Sequence, residues 1–306
     1  MKTLISRNTI TPLVNAFILS LMISCSKDEN MLMSMSTSFL TISDTHFETK
    51  LIELGIDSDG IVNQQMLRTD AEKVSRLDLS IPKNSDKITN LNGIEGFTNL
   101  TFFSVVGHEI KDVDLSFNIK LDTLILNGNH LTQIDLSNHS NLILVEIQSN
   151  ELSKIKGLSQ SKNLKRLDLS FNNFEEIIID NPSVEDLLIS HNQLKFIDTR
   201  NAINLKNVFM IINELTTVNF SSNKLLKTLI LSDNKLQSIN LEENTHLTHL
   251  YGSSNLLTSL DLSNNQQLID LRVDRNPYLS CIQISNGQYI PNVSISDYQS
   301  LNTNCN

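Results

Sequence analysis

Tryptophan is absent from this 306-residue chain, and aromatic residues of all kinds make up only 5% of it. That weakens the case for a carbohydrate platform built on stacked indoles. Positive charge is also scarce. Lysine and arginine number 24 against 34 acidic residues, a net charge of −10, which argues against nucleic acid and against passive adsorption on anionic lipid. No G-x-S-x-G elbow, phosphate-binding or dinucleotide-binding glycine run, C-x-x-C pair or H-E-x-x-H helix occurs. The common signatures of nucleophilic, nucleotide-dependent and zinc-dependent catalysis are therefore missing. The seven histidines (His46, His108, His130, His139, His191, His246 and His249) are scattered and form no ligand pair with a third partner. The chain thus points to no enzyme, no cofactor and no metal.

What is abundant is asparagine in one frame. Asn129, Asn150, Asn172, Asn192, Asn213, Asn234, Asn255 and Asn276 each occupy the same place in L-x-x-L-x-L-x-x-N-x-L, at gaps of 21, 22, 20, 21, 21, 21 and 21 residues. A fixed period of this length means a stack of one small unit. The frame is clear at Leu121, Leu124, Leu126, Asn129 and Leu131, and weaker copies use Val145 with Ile147, Val184 with Ile189, or Val208 with Met210. The L-x-L alternation has period two, so it predicts a short strand buried on one face. Successive strands in register make a parallel sheet, and each turn completes the core of its neighbours. Where the chain turns off the strand, backbone groups lose their ladder partners. An unpaired buried group costs about 1–3 kcal/mol. Asparagine has an acceptor and two donors on a short stem, so it can bond backbone in its own turn and the adjacent one.

The second half of the unit also repeats, as VDLSFN at 113–118, IDLSNH at 134–139, INLEEN at 239–244 and LDLSNN at 260–265. Leu115, Leu136, Leu241 and Leu262 are expected to point inward, on extended or turn-like backbone too short for a helix. The Asp-Leu-Ser carboxylates are expected on the solvated back.

The repeat frame resembles the leucine-rich repeat, in the short form found in internalin-like bacterial surface lipoproteins. The resemblance covers residues 74–284, about ten repeats. It implies a horseshoe solenoid of the α/β class with a parallel sheet on the concave face, little helix on the convex face, and a binding role. Three departures stand out. His108 takes the first ladder position, the opening turn at 74–99 is long and interrupted by IPKNSDKI, and Gly252 replaces the third leucine, predicting a small gap there.

The ends of a solenoid need caps. Residues 43–73 resemble the amino-terminal cap of these repeats. Thr45 and Glu48 fit a capping box, and Phe47, Leu51 and Leu54 share one helical face. Asp57-Ser-Asp-Gly60 reads as a turn; the further oxygen ligands of a calcium loop have no place in the pattern. At the other end Cys281 and Cys305 bracket a tail, assigned to a cap at 285–306, that shows no repeat frame. A disulfide there would lock the tail over the open end, as in similar tails of the resembling family; the alternative is two reduced, buried thiols.

Residues 1–24 read as a secretory signal, with Lys2 and Arg7 ahead of an apolar run at 13–23. The run closes on Leu-Met-Ile-Ser and then Cys25, similar to a bacterial lipoprotein box. Lipid on Cys25 would hold the mature chain at a membrane, with residues 25–42 as a flexible tether. Ser26-Lys-Asp-Glu29 is similar to a surface-export tag of Gram-negative lipoproteins. The expected location is therefore the outer membrane, exposed at the cell surface. Removal of Lys2 and Arg7 would leave 22 basic against 34 acidic side chains, net −12. No second apolar stretch of spanning length follows.

Residues between the leucines are expected to line the concave face. The central column is Ser104, Ile125, Glu146, Asp168, Leu188, Phe209, Ile230, Tyr251 and Arg272. Leu188, Phe209, Ile230 and Tyr251, with Ile211 beside them, form an apolar strip expected to face water, rimmed by Asp186, Asn207, Thr228 and His249. Asp168 and Glu146 at one end and Arg272 at the other would orient a partner. The reading is a monomeric module that docks a protein or glycan on this strip. The competing readings are a passive structural component of the outer membrane and, with least support, a hydrolase. Strand propensity alone would also put such residues there.

Overall fold

The computed structural model describes residues 38–80 and 86–305. The signal segment, Cys25 and most of the tether lie outside the described residues, as does part of the IPKNSDKI interruption. Residues 39–306 form one compact unit. No helix among the described residues is long and apolar enough to cross a membrane.

This unit is a leucine-rich repeat solenoid. Three-residue strands from successive turns build an eleven-stranded parallel sheet running from Arg76–Asp78 to Asn292–Ser294. The back carries short strand pairs, such as Gln133–Asp135 with Lys154–Lys156, and single-turn 3₁₀ segments at Ile94–Gly96 and Leu158–Gln160. The repeat leucines fill the space between, Leu124, Leu167, Leu229 and Leu250 among them at 0% exposure. Leu115, Leu136, Leu241 and Leu262 close the core from the back, as their periodicity predicts. Gly252 leaves room for about a methyl group, since a Cβ there would meet only Val273, at 3.7 Å.

The asparagines form the expected bridges. Asn234 Nδ2 donates to Met210 O of the preceding turn at 2.9 Å and to Leu231 O of its own turn at 3.0 Å. Its Oδ1 accepts from Leu215 N at 3.1 Å. Asn129 to Asn276 repeat the pattern turn after turn. His108 does similar work with an imidazole in place of the amide. Its Nδ1 accepts from Ile88 N at 3.0 Å and its Nε2 donates to Leu79 O at 2.7 Å. That assignment requires the neutral imidazole, and burial holds the His108 pKa below the ordinary value.

A second buried column runs down the back, and it ends the VDLSFN-type segments. Asn118 Nδ2 donates to Ile94 O and Phe97 O, Asn244 Nδ2 to Phe220 O and Asn223 O, and Asn265 Nδ2 to Leu241 O and Asn244 O. His139 occupies the same place and bonds Leu115 O at 3.0 Å. Its pKa is likewise lowered by burial.

The amino-terminal cap differs from the expected one in detail. The helix is Thr45–Glu53 and its N-cap is Asp44, one residue before the expected Thr45, so the expected capping box of Thr45 and Glu48 does not form. Asp44 Oδ1 accepts from His46 N and Phe47 N, while Oδ2 accepts from Thr89 N and Oγ1 and from Asn90 N, fastening the helix to the first turn. Burial alone would raise this carboxyl; the hydrogen bonds from Thr89 and Phe47 outweigh it and lower the pKa. Glu48 turns inward, where Oε1 accepts from Asn63 N and Gln65 N. Phe47 and Leu51 are buried, but Leu54 is 47% exposed because the helix ends before its side chain reaches the core. The Asp57 turn is closed by protein bonds, from Ser58 to Asp70 and from Ile61 N to Asp59. No three His, Cys, Asp or Glu side chains among the described residues are grouped to hold a metal.

Cys281 and Cys305 are disulfide-bonded, with Cα atoms 5.7 Å apart. The tail they bracket is a further turn of the coil instead of a plug. Asn292–Ser294 adds to the main sheet, and Ser300–Asn302 adds to the back alongside Cys281–Gln283. Gln288 supplies the second-column bonds, to Leu262 O and Asn265 O. Its longer side chain hides it from a search for asparagine.

Two outcomes follow from the bridges. Asn234→Leu orphans an N–H and two carbonyls, so urea unfolding should show a loss of about 3 kcal/mol or more; a loss under about 1 kcal/mol would mean water replaces the amide. The histidines set a pH dependence. Well above the ordinary value of 6.5 both states are neutral. Below it the unfolded chain takes up protons that the folded chain refuses, so stability falls as pH drops toward the lowered folded values. His108→Asn with His139→Asn should flatten the thermal midpoint between pH 7 and about 5.5, and an unchanged slope would show that these rings are not the neutral bridges.

Candidate functional site

In each inner strand the middle residue points into the core and its two neighbours point out, which follows from period-two side chains. Register is unbroken along the sheet. Asp168, Leu188, Phe209, Ile230, Tyr251 and Arg272 are neighbours in one column, and Arg166, Asp186, Asn207, Thr228, His249 and Asp270 in the next. The expected strip is thus brought together.

Its exposure is lower than expected. Leu188, Phe209, Ile211 and Tyr251 are half-buried, and Ile230 is only 9% exposed. Ile230 stands between the larger rings of Phe209 and Tyr251, which shield a branched side chain on both flanks. The surface is therefore a closely tiled apolar floor. Asp168, expected as a free charge at its margin, is 5% exposed and accepts from Ser170 N at 3.0 Å. A second, smaller apolar patch, of Phe102, Val106, Ile125 and Leu144, is also half-buried, with the Arg76 guanidinium 3.4 Å above the Phe102 ring.

The flanking charges are mutually engaged. Glu146 meets Arg166 at 3.3 Å. Arg272 bonds Asp270 at 3.0 Å and lies 4.3 Å over the Tyr251 ring, whose hydroxyl donates to Asp270 Oδ2 at 2.8 Å. The hydrogen bond from Arg272 lowers the Asp270 pKa, and burial together with Asp270 raises that of Tyr251. At the strand entry Lys165 and Lys206 both bond Glu185 and bring its pKa down to about 2. These contacts fix the floor's edges without projecting free charge into it. His249 bonds its neighbour Thr248 at 2.9 Å, and Asn207 bonds Asp186 at 2.7 Å.

A further column escaped the sequence reading. The residue just before each ladder asparagine has left-handed backbone: Gly128 at φ 67°, and Ser149, Phe171, His191, Ile212, Asp233, Ser254 and Arg275 with φ between 54° and 58°. The turn dictates this conformation, and a branched side chain fits it badly. Yet Phe171 and Ile212 are 49% and 45% exposed there, and the Phe171 and His191 rings stack at 4.1 Å and 10°. Ile212 adjoins Ile211, so the apolar surface extends from the floor onto the ridge beside it. Their only sequence signal is position, one residue ahead of the asparagine.

No family model matches the sequence. Lumican from Bos taurus is 30% identical over 152 residues, 46% of this chain and 44% of lumican. Lumican from Mus musculus is 28% identical over 149 residues, 45% of this chain and 43% of that protein. The chain thus spans less than half the length of these curated relatives. Among solved structures, the functional domain of InlJ from Listeria monocytogenes superposes with a TM-score of 0.52 at 20% identity, covering 84% of this chain and 70% of that one. YopM, a leucine-rich effector protein from Yersinia pestis, gives 0.50 at 20% identity, covering 78% and 62%. These likenesses establish the leucine-rich repeat fold.

Strain at Ile212 has a measurable consequence. Asparagine tolerates left-handed backbone, so Ile212→Asn should raise stability by about 1 kcal/mol in urea unfolding. A decrease would mean that Ile212 packs against the fold and is not held there against a backbone cost.

Proposed function

We propose that this chain is a protein-binding module that docks its partner on the concave floor of Leu188, Phe209, Ile230 and Tyr251 and on the adjoining ridge. The observation that carries the reading is the unbroken run of large apolar side chains in one column over four successive strands, where the patch of Phe102, Ile125 and Leu144 is smaller and split between columns. Strand stability is an insufficient reason for it. Cross-strand pairs contribute about 0.2–1 kcal/mol each, which threonine or valine would largely supply, and neither would need Ile212 in a strained conformation. The amino-terminal segment supports secretion and tethering through lipid on Cys25, with display at the outer surface for adhesion or recognition.

The test is a double variant. Phe209→Ser with Tyr251→Ser should abolish capture of the partner from extracellular proteins or a glycan array. Its unfolding midpoint should correspond to a loss of no more than about 2 kcal/mol. Undiminished capture by a folded double variant would remove the floor from consideration. Protease treatment of intact cells reports on display: a chain digested only after the envelope is broken is not at the surface.

A further inference from the structure

The two ends of the coil are finished differently. At the first turn, the hairpin of Phe39–Thr41 with Gln65–Leu67 and the helix Thr45–Glu53 bury Leu40, Phe47 and Leu51 over the core. At the last turn no comparable cover lies over the core among the described residues. Every other strand of the inner sheet buries its middle residue completely, from Leu77 through Leu271 at 0% exposure, whereas Val293 in the last strand is 40% exposed.

The backbone at that strand is open as well. Asn292 N donates back to Ile269 O, and Ser294 O accepts from Val273 N. Backbone groups alternate sides along a strand, so the N–H and C=O of Val293 face away from the sheet. The back sheet ends the same way. Ser300 N bonds Ser280 O and Asn302 O accepts from Ile284 N, which turns the backbone of Leu301 outward.

Charge favours one occupant. The chain carries −10 overall, yet Asp297 is the single charged side chain between Ser285 and Cys305. Two copies repel over most of their surfaces and meet without that penalty at this end face. The edge is also self-complementary. A two-fold axis beside Val293 would pair its N–H and C=O with those of Val293 in a second copy, as a closely spaced antiparallel pair. Pro291 offers no N–H, so the paired stretch is short and centred on Val293.

We infer that the last turn is an end-to-end dimer contact between two copies of this chain, joined through Asn292–Ser294. The repeat pattern alone suggests a monomer; the open end supplies the contact that pattern does not show. This inference does not rest on the concave floor.

Sedimentation equilibrium of the purified protein tests it. The expected result is a reversible dimer with a Kd on the order of tens of micromolar, in keeping with a small interface. Val293→Lys should abolish it while leaving the unfolding midpoint of the dilute protein unchanged, because Val293 is exposed. The Phe209→Ser, Tyr251→Ser variant should dimerise like the parent. A protein that stays monomeric up to about 1 mM, a dimer that persists in Val293→Lys, or a dimer lost in the floor variant would each overturn the inference.

Discussion

The whole coil depends on satisfying backbone carbonyls at its corners. A helix bonds its own carbonyls, and a sheet bonds those of its neighbour. A turn of about 21 residues with almost no helix has corners where neither applies, and these corners are buried. Side chains must do the bonding. The chain answers with two columns of donors, one at each corner, and they differ in what they demand. In the ladder after the inner strand the amide is used fully: Asn234 spends both amide hydrogens and its oxygen on backbone. On the back the donors are used and the oxygens of Asn118, Asn244 and Asn265 are left without partners. A column that needs only donors accepts more residue types, and His139, Ser161 and Gln288 donate there as well.

That difference explains what was legible in the sequence. The ladder needs an acceptor and a donor on one short side chain at one spacing, so it is filled by asparagine, by the His108 ring and, at the last turn, by Gln299. The result is a pattern readable by eye. The back column permits histidine, serine and glutamine, so its pattern dissolves into loop composition although the residues are as buried. The strand alternation was legible for the same reason as the ladder, because the core face admits only apolar side chains. The cap was less so. Asp44, Thr45 and Glu48 all suit a helix start, and local pattern cannot tell that Glu48 is claimed by Asn63 and Gln65 or that Thr89 recruits Asp44. Tertiary partners decide such cases. Ile230 is similar: alternation sets the direction of its side chain, and the size of its neighbours sets its exposure.

Because the corners and core fix register, the outward positions are free to vary without endangering the fold. This separation lets a repeat coil hold a binding surface. The apolar floor has the expected logic of such a surface, with Arg272, Asp270 and Tyr251 locked together at one side and Arg166 with Glu146 at the other. Engaged charges cost less to cover than free ones, since their desolvation is partly met by each other. A partner that covers this floor would therefore meet apolar area in the middle and self-satisfied polar groups around it, the arrangement found at protein contacts.

The last turn shows the limit of the stacking principle. Each interior turn is stabilised by two neighbours and a terminal turn by one, so the ends fray first in a one-dimensional stack. At the first turn a folded cap supplies the missing neighbour, fastened by the five bonds of Asp44. At the last turn the chain uses covalent chemistry instead. The bond from Cys281 to Cys305 closes a separation of 24 residues, and a loop of that size removes about 3 kcal/mol of chain entropy from the unfolded state. It holds the turn in place without covering it. Order and burial are thus obtained separately at this end, and an ordered, unburied edge strand is what a second sheet edge can recognise.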